Sequence, residues 1–317
     1  MSRFARRLQR AVNAPIPPVI VDDNEYWTVD SAIRLPIPNN PVLDSKSAGI
    51  VSNLSASGSS RVLDCIEYGV TIRVANGETR KSVTVLNSPA WGPDPFQGRT
   101  IPLASSWKPA PGGDGALVVV DGTIAYGFWE YSWNGGSPQC SFGGYVDTSG
   151  SIISDTKGNA TGAGLSRLAG IIRRDEMAAG VINHALVFSS DMVTATNYKF
   201  PAIKTDGKNM AGISPTIMES ARIQLDPAYN VDGDSSLKPY ERMVAKALQK
   251  YGAYCMDNGG ARMAFIAETP LQWQLSGGNY TPVNDTAYQA AGIANDYPGL
   301  SNIPWNRLRV LANWDGS

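Results

Sequence analysis

The chain has 317 residues, 43% of them hydrophobic and 17% charged, with 32 glycines, 21 prolines and a formal net charge of -1. That length and apolar fraction suffice for a large core, and the Gly, Pro, Ser, Thr and Asn content favours many short strands joined by turns. The balanced charge excludes a global field drawing in nucleic acid, and no apolar run reaches the roughly 18 residues of a membrane-crossing helix.

In "MSRFARRLQRAVNAPIPP", Phe4, Leu8 and Val12 recur every four residues among Arg3, Arg6, Arg7 and Arg10. This predicts a short amphipathic helix stopped by prolines, and the charges interrupt any secretory apolar stretch. Residues 1–20 therefore read as a basic arm that docks on a partner protein, and residues 21–317 as a single β-rich domain. "NEYWTVDSAIRLPI" and "RVLDCIEYGV" read as strands. "VTIRVANGETRKSVTVL" alternates on both sides of Asn76-Gly77 and predicts a hairpin closed there.

A second hairpin is predicted where "ALVVV" and "TIAYGFWEY" flank Asp121-Gly122. Alternation puts Tyr126 and Phe128 on one face, and Ala125, Gly127, Trp129 and Tyr131 on the other. Residues 132 to 165 read as long loops around one or two strands. "HALVFSSD", "ARIQLD", "RMAFIAE" and "LRVLANW" read as further strands. Helical periodicity appears in "RRDEMAAGVIN", where Asp175 and Glu176 suit a helix N-terminus, and in "SSLKPYERMVAKALQKYG". In the latter Met243, Ala247 and Tyr251 share a stripe, Ser235 or Ser236 can cap, and Gly252 can terminate. The fold class is thus mainly β, a sandwich or jelly-roll-like body with two decorating helices. Cys65, Cys140 and Cys255 permit at most one disulfide and read as buried thiols, with the pairing state left open.

The one histidine, His184, precedes an apolar strand; it reads as a hydrogen-bonded structural residue or, alternatively, as a general base. Glu130, on an aromatic-rich strand, and Asp114 complete the acid or base candidates for glycan cleavage, which needs two carboxyl groups about 5 to 9.5 Å apart. Trp107, Trp129, Tyr131 and Trp133 crowd one region with Trp91, as core packing or as a platform that stacks on sugar rings. Strand alternation would give Trp129, Tyr131 and Trp133 one common face. Asn230, Asp232, Asp234 and Glu241 in "NVDGDSSLKPYE" approach a calcium-loop spacing, but Ser235 stands where that loop needs glycine. No nucleotide-binding glycine motif is present in the sequence.

"GGDGALVVVD", "YGFWE", "ATGAGLSRLAGIIRRDEMAAGVINHALVF", "ARIQLDP", "MVAKALQKYGAYCMDNGG" and "AFIAE" follow one another through most of residues 100 to 270. In this the chain resembles an uncharacterised β-rich family of actinobacteria and their phages that includes minor tail proteins. Secreted relatives tend to read G-D-x-H where this chain has Gly113-Asp114-Gly115-Ala116, so Ala116 replaces their imidazole. The resemblance implies a virion protein of the tail tip or fibre, made in the host cytoplasm. Its partners would be other tail subunits, further copies of itself and a host envelope polysaccharide. The alternative is a secreted-type glycoside hydrolase or polysaccharide lyase using Glu130, Asp114 and His184.

Overall fold

The computed structural model describes residues 26–154 and 160–312. The Arg3, Arg6, Arg7 and Arg10 arm lies outside the described residues. Four α-helices are present among them: α1 (Ser47–Leu54), α2 (Arg174–Ala179), α3 (Pro239–Lys250) and α4 (Thr286–Ala291). The first ten strands are β1 (Arg61–Asp64), β2 (Thr71–Val74), β3 (Arg80–Lys81), β4 (Thr84–Val85), β5 (Ile101–Pro102), β6 (Leu117–Asp121), β7 (Ile124–Trp129), β8 (Ser132–Asn134), β9 (Ser137–Cys140) and β10 (Phe142–Asp147). Then come β11 (Leu186–Ser190), β12 (Val193–Tyr198), β13 (Ile217–Glu219), β14 (Arg222–Leu225), β15 (Ala253–Asn258), β16 (Met263–Ile266), β17 (Trp273–Ser276), β18 (Asn279–Pro282) and β19 (Leu308–Val310). The molecule is mainly β with few helices, as its composition implied.

Two sheets dominate. One has six strands in the order β1-β16-β11-β15-β14-β19, the other four in the order β10-β7-β6-β2, and both mix parallel with antiparallel pairs. They share one apolar layer: Ile72, Val118, Val120, Ala125 and Val146 of the smaller sheet meet Val187, Tyr254, Met256 and Ile266 of the larger. The other face of the larger sheet, with Leu63, Phe188, Ile223, Cys255 and Phe265, is covered by Val244 and Leu248 of α3 and Leu54 of α1. The other face of the smaller sheet, with Leu117, Val119, Tyr126 and Phe128, packs on Val85, Phe96, Ile101 and Cys140. Strand β6 is therefore buried on both sides, which is why it reads as an unbroken apolar run rather than an alternating one.

Local chemistry explains the elements the sequence revealed. β6 and β7 form the predicted hairpin, with Asp121 opposite Ile124 and Gly122 taking φ 59° at the first loop position. The loop is Gly122-Thr123, one residue later than the Asp121-Gly122 turn, because Asp121 still pairs in the ladder and holds Arg80 at 2.8 Å. In α3, Met243, Ala247 and Tyr251 are buried as the stripe required, and Gly252 follows with φ 72°. Neither Ser235 nor Ser236 caps it: Pro239 occupies the first turn and Glu241 accepts from the Lys238 amide at 3.0 Å. All three cysteines are buried free thiols.

Other expectations fail for tertiary reasons. The Asn76-Gly77 turn exists, with Gly77 at φ 85°, but it closes no hairpin. β2 instead pairs with β6 in parallel and β3 with β5, so the two segments part after the turn. "NEYWTVDSAIRLPI" forms turns from residue 26 onward, and Trp27 and Ile33 plug the layer between the sheets rather than joining a ladder. Residues 132 to 147 carry three strands where looser loops were expected. Helices α1 and α4, too short for a clear periodic signal, were not foreseen.

Candidate functional site

The candidate site is a groove of about 820 Å³ between the 108–115 segment, the 130–131 turn and the β17–β18 hairpin. The hairpin closes through Gly277 and Gly278, at φ 58° and 82°, a two-residue loop of the type that favours positive φ. Trp273 and Leu275 fall on one face by strand alternation, and Leu275 stands opposite Tyr280. The Trp273 and Tyr280 rings meet edge to face with centroids 5.4 Å apart, and Trp273 remains 37% exposed. Leu275 is also exposed, so this is an apolar surface presented to solvent rather than a core edge.

The facing wall is acidic. The Glu130 amide donates to the Asp114 carbonyl at 2.7 Å and the Tyr131 amide to the Gly115 carbonyl at 3.0 Å, which straps the two segments together. Glu130 has φ 53°, is exposed into the groove, and accepts from the Ser141 hydroxyl. Asp114 accepts from the Trp129 indole at 3.1 Å. Behind Gly112, the carbonyl and side chain of Glu67 leave no room for a Cβ, so only glycine lets this wall run against Glu67.

Glu67 accepts from the Tyr297 hydroxyl at 2.7 Å. The turn that carries it is organised by Asp296, whose carboxylate accepts from the amides of Cys65, Ile66, Glu67 and Tyr297 at 2.7 to 3.1 Å. At the end of β1, burial and then the like charges of Asp296, Asp114 and Glu67 push the Asp64 carboxyl up to about 8. Lys108 is the one cation among the described residues lining the groove.

The structure thus joins Glu130 and Asp114, two of the three residues singled out for acid or base chemistry. His184 is not with them. It is 1% exposed, with Nδ1 against the Ala185 carbonyl at 2.8 Å and Nε2 against Glu176 at 3.1 Å. Because a carbonyl only accepts, Nδ1 donates there, and the Nε2 contact to a carboxyl group needs a further shared proton. Glu176 in turn accepts from the Arg173 amide at 2.9 Å at the start of α2. His184 is a structural member of that buried pair.

The expected aromatic platform breaks apart. The positive φ of Glu130 ends the β7 alternation, so Tyr131 swings to the Phe128 side, with ring centroids 5.3 Å apart, and is 3% exposed. Trp129 stacks on exposed Trp91 at 5.4 Å, while Trp107 and Trp133 pack against the outer core of the smaller sheet. Of the four aromatics expected at a ligand, only Tyr131 lines the groove. Trp273 and Tyr280 were missed, although "WQLSGGNYTP" carries the same alternation around a glycine pair that marked β6 and β7.

The residues of calcium-loop spacing have protein partners. Asn230 accepts from the Gly233 amide, Asp232 pairs with Lys246 at 2.6 Å, Asp234 binds Tyr229 and Ser236, and Glu241 holds Lys238 and Asn302. Asn230 and Asp234 thus hold turns, Asp232 an ion pair and Glu241 the start of α3. Ala116, at the imidazole position of the resembled relatives, is 1% exposed and faces the layer between the sheets.

A second acidic group lies where β13 and β15 approach. Glu219 is fully buried, its carboxyl oxygens have no donor, and it contacts the Asp206 carboxyl, another acid. Burial, then Asp257 and Asp206, push Glu219 up to about 10 against the pull of Lys204.

The fold and groove define a mainly β protein with an aromatic and acidic recess. No helix among the described residues is long and apolar enough to cross a membrane. Comparison with family models, with curated proteins and with solved structures finds no match to this chain.

Proposed function

We propose that this chain is a minor tail protein of an actinobacterial phage, at the tail tip or fibre, whose groove binds a host envelope polysaccharide. The observation that carries the binding reading is the exposed Trp273 and Leu275 beside half-buried Tyr280, lining one open groove with Glu130. Flat aromatic faces stack on the apolar faces of sugar rings, and carboxylates accept from sugar hydroxyls. An open groove suits a long polymer better than a small metabolite. The tail assignment is supported by the resemblance of the segments between residues 100 and 270 to tail-associated relatives.

Titration of purified actinobacterial envelope polysaccharides against the protein and its Trp273→Ala variant tests the reading. The expected loss on removing the indole is about tenfold in affinity, from one aromatic contact of about 1–1.5 kcal/mol. No binding by the parent protein, or equal binding by the variant, refutes it.

One observation favours a second reading, glycan cleavage. Glu130 lines the groove and its amide bonds the Asp114 carbonyl at 2.7 Å, so two carboxyl-bearing residues lie side by side, as acid and base chemistry requires. Turnover of the bound polysaccharide that is abolished by Glu130→Gln supports cleavage, and binding without turnover retires it.

A further inference from the structure

We propose that the groove selects cationic glycans, polymers whose sugars carry free amino groups, over neutral and acidic ones; this rests on the glycan-binding reading above. Opposite its aromatic wall the groove is lined by one acid and backed by two more, against a single cation. Glu130 lines it directly, Asp114 sits between the lining residues Gly113 and Gly115, and Glu67 stands immediately behind Gly112. Against these acids stands Lys108, an exposed residue that also lines the groove. Glu67 and Asp114 are held by Tyr297 and Trp129, neutral donors that fix the carboxylates without cancelling their charge. The nearby Asp296 differs, because four backbone amides satisfy it.

Burial, and then the like charges of Asp296, Asp114 and Glu67, raise the neighbouring Asp64 carboxyl. A ligand ammonium would supply the missing positive charge, whereas a uronate or phosphate-bearing polymer would add to the repulsion. Aromatic stacking provides affinity for any sugar ring; the acidic wall then decides which ring. Two or three ammonium–carboxylate contacts near the surface give a preference of about tenfold.

Three hexamers serve as probes at about pH 6, where such amines carry their proton: a glucosamine oligomer, its fully N-acetylated counterpart and an oligogalacturonate. Calorimetric titration should show the glucosamine oligomer binding about tenfold more tightly than the acetylated one, and the galacturonate most weakly. That preference should shrink in Glu130→Gln and in high salt, where surface charges are screened.

Equal affinity for the acetylated and free-amine hexamers, or tighter binding of the galacturonate, overturns the charge selection while leaving glycan binding intact. A blank result with all three, and with envelope polysaccharide, overturns the binding reading and this inference together. Binding that survives Trp273→Ala unchanged places the sugar elsewhere and overturns both for this groove.

Discussion

Glu219 offers the sharpest physical prediction in the molecule, since a fully buried carboxyl beside Asp206 and Asp257 must affect stability in a pH-dependent way. Its ordinary value is 4.5 and folding raises it to about 10. Between those limits the folded chain retains a proton that the unfolded chain releases, so the contribution of this group is most favourable at low pH and is lost as pH rises. The slope is about 1.4 kcal/mol per pH unit. At about pH 7.5, three units above the ordinary value, the accumulated cost approaches 4 kcal/mol.

Glu219→Gln keeps the shape, donates to Asp206 without needing a borrowed proton, and removes that cost. We expect the variant to be more stable at about pH 7.5 by about 2–4 kcal/mol and nearly unchanged at about pH 4.5. With an unfolding entropy of about 2 cal/mol/K per residue over 317 residues, this corresponds to a rise of about 3–6 °C in Tm. Urea and thermal unfolding of both proteins across that pH range measure it. A variant that is less stable at about pH 7.5, or whose advantage does not grow with pH, refutes the reasoning.

His184→Ala should destabilise by about 3 kcal/mol, because it removes the imidazole from the buried Glu176 carboxyl, which keeps the Arg173 amide, and leaves a cavity; His184→Gln should recover part of the loss, and an unchanged denaturation midpoint would contradict the buried-pair account. Gly69→Ala should cost about 2–4 kcal/mol, since the new methyl would stand 2.7 Å from the Cys65 carbonyl carbon and 2.9 Å from the Ala267 oxygen, both backbone; a soluble variant with parental stability would contradict this.

Sequence alone determined the elements whose burial is simple. "LVVVDGTIAYGFW" declared a hairpin, because turn chemistry at Gly122 and a doubly buried β6 leave the segment few other conformations. The α3 stripe was equally legible, since one face of that helix is covered and 3.6-residue periodicity records it. Glu130 stood out as an acid on an aromatic-rich strand, with Asp114 as a second candidate, and the structure does bring their backbones together.

Only the tertiary structure decided the rest. A hairpin signal at Asn76-Gly77 specifies a turn but not which strands pair, and parallel pairing of β2 with β6 is a long-range contact that local spacing does not encode. The face of Tyr131 depended on one backbone angle, the φ of 53° at Glu130, which reverses the alternation on which the aromatic platform was predicted. The groove itself joins residues 108–115, 130–131 and 273–280, and the proximity of those segments follows from how two sheets and a protruding hairpin pack. Turns and periodicities are properties of neighbouring residues, whereas charge crowding at Asp64 and Glu219 arises between side chains far apart in sequence, where folding alone brings like charges together.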